Sequence, residues 1–294
     1  MNNKIRIIST IVLLTGTLLS GCVDRVTPTT SLTGDNIISK TVAALDRVKS
    51  FSLDTDIKNT YKLVDGSSLS TTEWNGSKLI SISNQEMKMK MAIPEIYTGT
   101  NMDASLEMYF KNGEEYLKTV ATGLYQPNPW TKKNKIDGTL WKHEIQIPYL
   151  KEMLKTAARV SNPEGERINN IDCYVLTVNP SAQASVNFCV AQEQPFGSQI
   201  DTMFGGAIPV VRPNAFQNGS IKFWIDQKSY LPVKVEIDID FQGFVGGGAI
   251  TSTPYTPDTN LVNSGFQGQL NFSDYDQAVS FSIPTEALGI QERK

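Results

Sequence analysis

The chain has 294 residues, 40% of them apolar and 19% charged, with 27 Lys and Arg against 30 Asp and Glu and a single His. That much apolar material builds a packed core and excludes a disordered chain. A net charge of −3 supplies no basic field for a phosphate backbone, which argues against nucleic acid as a partner; one His and three Cys exclude multi-His and four-thiolate metal sites.

Lys4 and Arg6 precede an uncharged, mostly apolar run of thirteen residues, Ile7 to Leu19. A bilayer span needs about 20 residues, so the run suits the apolar region of a signal peptide rather than a transmembrane helix. It ends in Leu19-Ser20-Gly21-Cys22, which resembles the bacterial lipobox, and that resemblance implies lipidation of Cys22 as the first residue of the mature chain. The organisation read from this is a lipoprotein signal peptide at 1–21, a lipidated Cys and flexible tether at 22–34, and a single domain at 35–294. The tether, rich in Thr and carrying Pro28, has no apolar period. The membrane is thus the first expected partner, held through lipid on Cys22. The location is the cell envelope outside the cytoplasm, on the outer face of the cytoplasmic membrane or on an outer membrane. Val23 after that Cys resembles an export signal where two membranes exist.

Asp35 is an N-cap candidate, and Ile38, Val42, Leu45 and Val48 draw one apolar stripe along a short helix. From Phe51 the period changes to two: Phe51, Leu53, Thr55, Ile57, Asn59, Tyr61 and Leu63 alternate with mostly polar residues, predicting a long strand with one wet face. Met87, Met89, Met91 and Ile93 continue the pattern, and Leu106, Met108 and Phe110 lead into Asn112-Gly113, a two-residue hairpin signal. Glu114 and Glu115 after that turn read as solvent-exposed. His143 beside Trp141 falls in a predicted strand. A second helix is predicted from Pro148 to Val160 and a third between Ser181 and Gln192. Ile221, Phe223 and Ile225 precede a turn at 226–229, after which Val233, Val235, Ile237, Ile239 and Phe241 alternate with charged residues. A last strand pair is predicted at 266–272 and 279–283, while 197–217 and 243–265, rich in Gly, Pro, Ser and Thr, read as long loops. Strands with one wet face belong to antiparallel sheets, so the fold class is α+β: a large curved antiparallel sheet, a half-open β-barrel, with a few helices over its concave apolar side.

If Cys22 carries lipid, Cys173 and Cys189 remain, and outside the cytoplasm they are either a disulfide or two buried thiols. Asp238-Ile239-Asp240 opens like a calcium loop, but Ala249 stands where the bidentate carboxylate is needed. Gly246-Gly247-Gly248 lacks the Lys of a phosphate loop, and no G-x-S-x-G elbow occurs. Three N-x-S sequons occur, at Asn75, Asn218 and Asn271, and turn chemistry explains the two with Gly in second place, Asn75 and Asn218. The sequence offers no catalytic residue, no metal ligand set and no cofactor motif, and is read as a non-enzyme.

The element order, with TVAALDRVKSFSLDTDI joining helix to long strand, IKFWIDQKSYLPVKVEI late in the chain and LNFSDYDQAVSFSIP closing it, resembles the LolA-like lipoprotein superfamily and its LppX-type members. The resemblance implies a half-open barrel that binds or transfers a lipid, another hydrophobic ligand or a lipidated protein between sheet and helices. Met87, Met89 and Met91, whose side chains re-pack around irregular shapes, are the first candidates to line such a cavity, with Leu53, Ile57, Tyr61, Phe223, Val235 and Ile237 behind them. The alternative for each is plain core. The alternative for the whole chain is a non-catalytic envelope sensor or protein-interaction module, displaying an exposed aromatic patch near Tyr125 to Trp130 or in 197–217 to a protein partner whose nature the sequence leaves open.

Overall fold

Period-two alternation governs most of the chain, and the chain folds accordingly into strands. In a computed structural model, the described residues are 32–63, 66–93, 104–121, 129–134, 141, 144–189, 191, 210–246 and 261–290. In chain order they form α1 (Gly34–Leu45), β1 (Ser50–Leu63), β2 (Ser68–Ser81), β3 (Glu86–Ile93), β4 (Ala104–Lys111), β5 (Glu114–Ala121), β6 (Trp130–Asn134), α2 (Ile147–Lys155), β7 (Arg159–Val160), β8 (Glu164–Ile168), β9 (Ile171–Asn179), α3 (182–189), β10 (Val210–Asp226), β11 (Pro232–Gly246), β12 (Leu261–Ser273) and α4 (Thr285–Leu288).

The twelve described strands make one antiparallel sheet in the order β6-β5-β4-β3-β2-β1-β12-β11-β10-β9-β7, with β8 also on β9. β6 and β7 end the order without pairing to each other, so the sheet stays open. β1 zips to β12 from Ser52↔Ser273 to Leu63↔Val262, which joins the N- and C-terminal wings into one surface. Every second residue of each strand points the same way, so one apolar face runs across the whole order. Onto it pack α1, through Ile37, Ile38, Val42 and Leu45, and α2, through Leu150, Met153 and Leu154. The α+β class and open antiparallel sheet read from the sequence are the fold observed.

Several local expectations are corrected. The α1 N-cap is Thr33, whose hydroxyl accepts from the Asn36 amide at 3.3 Å; Asp35 sits in the first turn, where its charge complements the helix dipole. The helix therefore begins at Gly34, within the stretch read as tether; a Cβ there would stand 2.5 Å from Val160 Cγ1. α2 stops at Lys155 rather than Val160, because the Ala158 amide donates to Asn179 O at 2.8 Å and draws Arg159 and Val160 onto β9. Trp141 is helical, not extended. Residues 210–217, 243–246 and 261–265, read as loop, are strand: irregularities at Pro213/Ala215 and Phe216/Asn218 absorb the breakers. Another irregularity, at Trp224/Ile225, turns Val233 to the outer face, away from Val235. Residues 279–283 form no strand; Phe281 and Ile283 instead cover Tyr109, Tyr116 and Trp130 on the outer face near the β6 edge.

Candidate functional site

The site is the inner face of the sheet, built up from cross-strand pairs. β3 and β4 set Met87 opposite Phe110, Met89 opposite Met108 and Met91 opposite Leu106. Met153 of α2 belongs to the same core, so five buried methionines from two strands and a helix share it. On the other side of β3, β2 sets Ile80, Lys78 and Gly76 opposite Met87, Met89 and Met91, and β1 continues with Phe51, Leu53 and Thr55. On the second wing Phe223 of β10 pairs with Val235 of β11, and Ile237 pairs with Gly268 of β12, which in turn faces Ile57 of β1. All nine residues named from the sequence as cavity-lining, Leu53, Ile57, Tyr61, Met87, Met89, Met91, Phe223, Val235 and Ile237, thus lie buried on this face in one apolar cluster. Cys22 lies outside the described residues.

Sequence reasoning missed the charged residues of this face, Lys78 and Glu115. Lys78 is buried at inward parity on β2, and its Nζ donates to Glu144 Oε2 at 2.6 Å and approaches Glu144 O at 3.4 Å. Glu144 stands in the helical residues just before α2, on the cover rather than the sheet. Glu115, read as exposed, is buried instead: β5 alternation places it in line with Leu117 and Thr119, opposite Phe110. Asn59 Oδ1, Ser264 Oγ and Thr41 Oγ1 are buried without a hydrogen-bond partner. Parity was the signal available for Lys78 and Glu115: each sits two residues from an inward apolar neighbour, Ile80 and Leu117.

The outer face is different in kind. A groove of about 600 Å³ crosses it, lined by Asp56, Lys58, Lys222, Glu236 and Asp238 among others, and a second of about 490 Å³ lies over β2 to β5 near Lys90, Glu107 and Lys118. Mixed charge lines both. Near the edge of the second wing, Trp224 Nε1 donates to Glu166 Oε2 at 2.9 Å, and the ammoniums of Lys222 and Lys234 lie 4.4 and 4.7 Å from its ring. Cys173 packs in this outer cluster with Val175 and Trp224, whereas Cys189 lies in the inner core. Of the two alternatives read from the sequence, the structure holds the buried thiols: the sheet separates the two sulfurs. Burial, then the charges of Asp226 and Glu166, push the Cys173 thiol from 9.0 up to about 12. Trp130 is buried against Tyr109, 6.1 Å between ring centroids, rather than displayed; Tyr125 and 197–209 lie outside the described residues.

Among the described residues no group of three His, Cys, Asp or Glu side chains could hold a metal ion, and no helix is long and apolar enough to cross a membrane. Among the described residues, the inner face offers an apolar wall crossed by the buried Lys78–Glu144 ion pair.

Residues 33–291 match the model of a family described as "Family of unknown function (DUF6612)". Among solved structures the chain is similar to the lipoprotein LppX of Mycobacterium tuberculosis, at 12% identity and a TM-score of 0.36 over 84% of this chain and 96% of that one. It is similar to LprF from Mycobacterium bovis, at 11% identity and 0.44 over 86% and 97% of the two chains. It is also similar to a LolA superfamily protein from Nitrosomonas europaea, at 13% identity and 0.22 over 86% and 96%. No curated protein matches the chain's sequence.

Proposed function

The chain belongs to the DUF6612 family, and we propose that it is a non-enzymatic, lipid-anchored binding protein of the cell envelope that holds a lipid or other hydrophobic ligand between its sheet and its helices. The observation that carries this reading is the methionine wall: Met87, Met89, Met91 and Met108 on neighbouring strands, in one buried core with Met153 of α2. Three rotatable bonds and a polarisable sulfur let each side chain re-pack around an irregular apolar ligand. Leu53, Ile57, Tyr61, Phe223, Val235 and Ile237 extend the same apolar surface across the sheet. The lipobox-like Leu19 to Cys22 supplies the anchor, the residues between it and the Thr33 cap of α1 the tether, and the chain from α1 onward a single binding domain.

Native mass spectrometry of the chain, purified from cells with whatever it carries, tests the reading. The expected spectrum shows an added mass of one or two acyl chains, lost when Met89→Trp and Ile237→Trp fill the wall. A bare chain that stays bare after incubation with envelope lipids would overturn it.

A further inference from the structure

The buried ion pair on the inner face is the least economical feature of the molecule. Lys78 and Glu144 side chains are 4% and 2% exposed, and their oppositely charged ends meet at 2.6 Å. Taking both charges out of water costs more than their attraction reliably returns, so a pair of apolar residues of the same volume would hold the core as well or better. The pair is also placed where a purely structural bridge is not needed. Lys78 is held by β2 in the middle of the apolar wall, with Leu53 on one side and Met89 on the other in cross-strand register. Glu144 comes from outside the sheet, from the short helical stretch leading into α2, which packs over that wall. One partner is fixed and the other belongs to the cover.

The geometry points to Lys78 as the headgroup subsite of the proposed ligand, which makes that ligand an anionic amphiphile: a chain ending in an ionised carboxylate or phosphate. This inference rests on the binding reading above. A ligand anion can replace the Glu144 carboxylate on the Lys78 ammonium like for like, so the cation stays paired throughout, while Glu144 moves out to water with its segment. The acyl chain then lies on Met89, Met108 and their neighbours, directly beside Lys78 in register. A neutral head offers no such exchange: it either leaves the pair closed or strands a buried charge. Glu144 is thus the stand-in that keeps Lys78 satisfied in the empty protein, and selectivity for charge follows from the same bond that closes the cover.

The test uses the full-length chain in phosphatidylcholine nanodiscs with three photoactivatable sixteen-carbon probes: palmitic acid, lysophosphatidic acid and hexadecanol. Cross-links are read by mass spectrometry on the peptide that carries Met87 to Met91. One or both anionic probes are expected to label that peptide about tenfold or more over the alcohol, the scale of one charge-assisted hydrogen bond. Their ranking tells a fatty carboxylate from a phosphate headgroup. Lys78→Met combined with Glu144→Leu removes both charges without stranding either, and is expected to keep the fold and the alcohol labelling while losing the anion preference. Equal labelling by all three probes, or an anion preference that survives the double variant, overturns the headgroup assignment and leaves the hydrophobic-binding reading standing. Failure of every probe to label the peptide overturns both.

Discussion

Lys78 Nζ and Glu144 Oε2 lie 2.6 Å apart under the helical cover of a mostly apolar sheet face. Each is the other's compensation, so the two must be changed together. Glu144→Ala strands a buried ammonium and is expected to cost about 3–5 kcal/mol, whereas Lys78→Met with Glu144→Leu is expected to be neutral or stabilising. Urea unfolding of the two variants against the parent checks this. A Glu144→Ala variant as stable as the parent would mean that water reaches Lys78.

That pair also marks where sequence reasoning stops. β1 and β11 were legible because their inward positions are apolar and their outward ones charged, and the Asn112-Gly113 hairpin announced itself by type. β2 was not legible. Its inward residues Trp74, Gly76, Lys78 and Ile80 include a glycine and a lysine, so the hydropathy alternation that identifies a half-buried strand is erased. Glu115 was misread for a related reason: a carboxylate after a turn is usually wet, and only the parity set by Leu117 and Thr119 shows that it faces in. The methionines were legible as wall residues, since they follow the period. Their partner Met153 and the charged residue on the cover were not, because which helix lies on which strand is tertiary information. The same limit applies to Cys173 and Cys189, close enough in sequence to suggest a bridge yet divided by the sheet.

The methionine wall makes a stability prediction distinct from its ligand prediction. Met89 is fully buried between Lys78 and Met108 in register. Met89→Ala leaves a cavity and is expected to cost about 2–5 kcal/mol, while Met89→Leu conserves volume and is expected to cost less than about 1.5 kcal/mol. Thermal and urea unfolding of both variants give the comparison. Near-parent stability for Met89→Ala would show that the wall collapses freely around the gap.

Stability is expected to fall on the alkaline side. Burial, then Asp226 and Glu166, raise the Cys173 thiol from 9.0 to about 12, so the folded chain keeps a proton that the unfolded chain releases. The contribution is fully present below about pH 9 and is lost as pH rises toward 12. Tyr109, raised by burial and then by its hydrogen bond to Glu107, acts with the same sign above its ordinary 10.0. The urea midpoint is therefore expected to decline from pH 9 to pH 11, with a shallower decline in Cys173→Ala. Under native conditions at pH 8, a disulfide reagent is expected to leave Cys173 unmodified until the chain is unfolded. Rapid native labelling at Cys173 would contradict its burial.

The β4–β5 hairpin rests on a left-handed pair, Asn112 at φ 54° and Gly113 at φ 79°. That is the backbone of a two-residue turn whose twist matches the strands, and a Cβ at the second position is strained even though Gly113 has open space around it. Gly113→Ala is expected to destabilise by about 1–2 kcal/mol. Gly289→Ala, at φ −83° and with nothing within 4 Å of an added Cβ, is the comparison that separates positive-φ strain from general glycine loss. A neutral Gly113→Ala would show that β4 and β5 pair regardless of the turn.

Anchoring makes the last prediction. In the proposed reading, retention at a membrane falls to lipid on Cys22, because the apolar run that leads into Leu19-Ser20-Gly21-Cys22 is too short to span a bilayer. The chain is net acidic, which denies it the basic patch that commonly supplements a single acyl chain on anionic headgroups. Stable retention then requires more than one acyl chain on the same residue, since one alone binds only marginally. Cells fed radiolabelled palmitate are expected to label the parent and not Cys22→Ser, and fractionation is expected to move the variant from the membrane pellet to the soluble fraction or to stall it uncleaved. A Cys22→Ser chain that is correctly cleaved, unlabelled and still membrane-bound would transfer the anchor from the lipid to a protein partner, and would revive the reading of the chain as an interaction module.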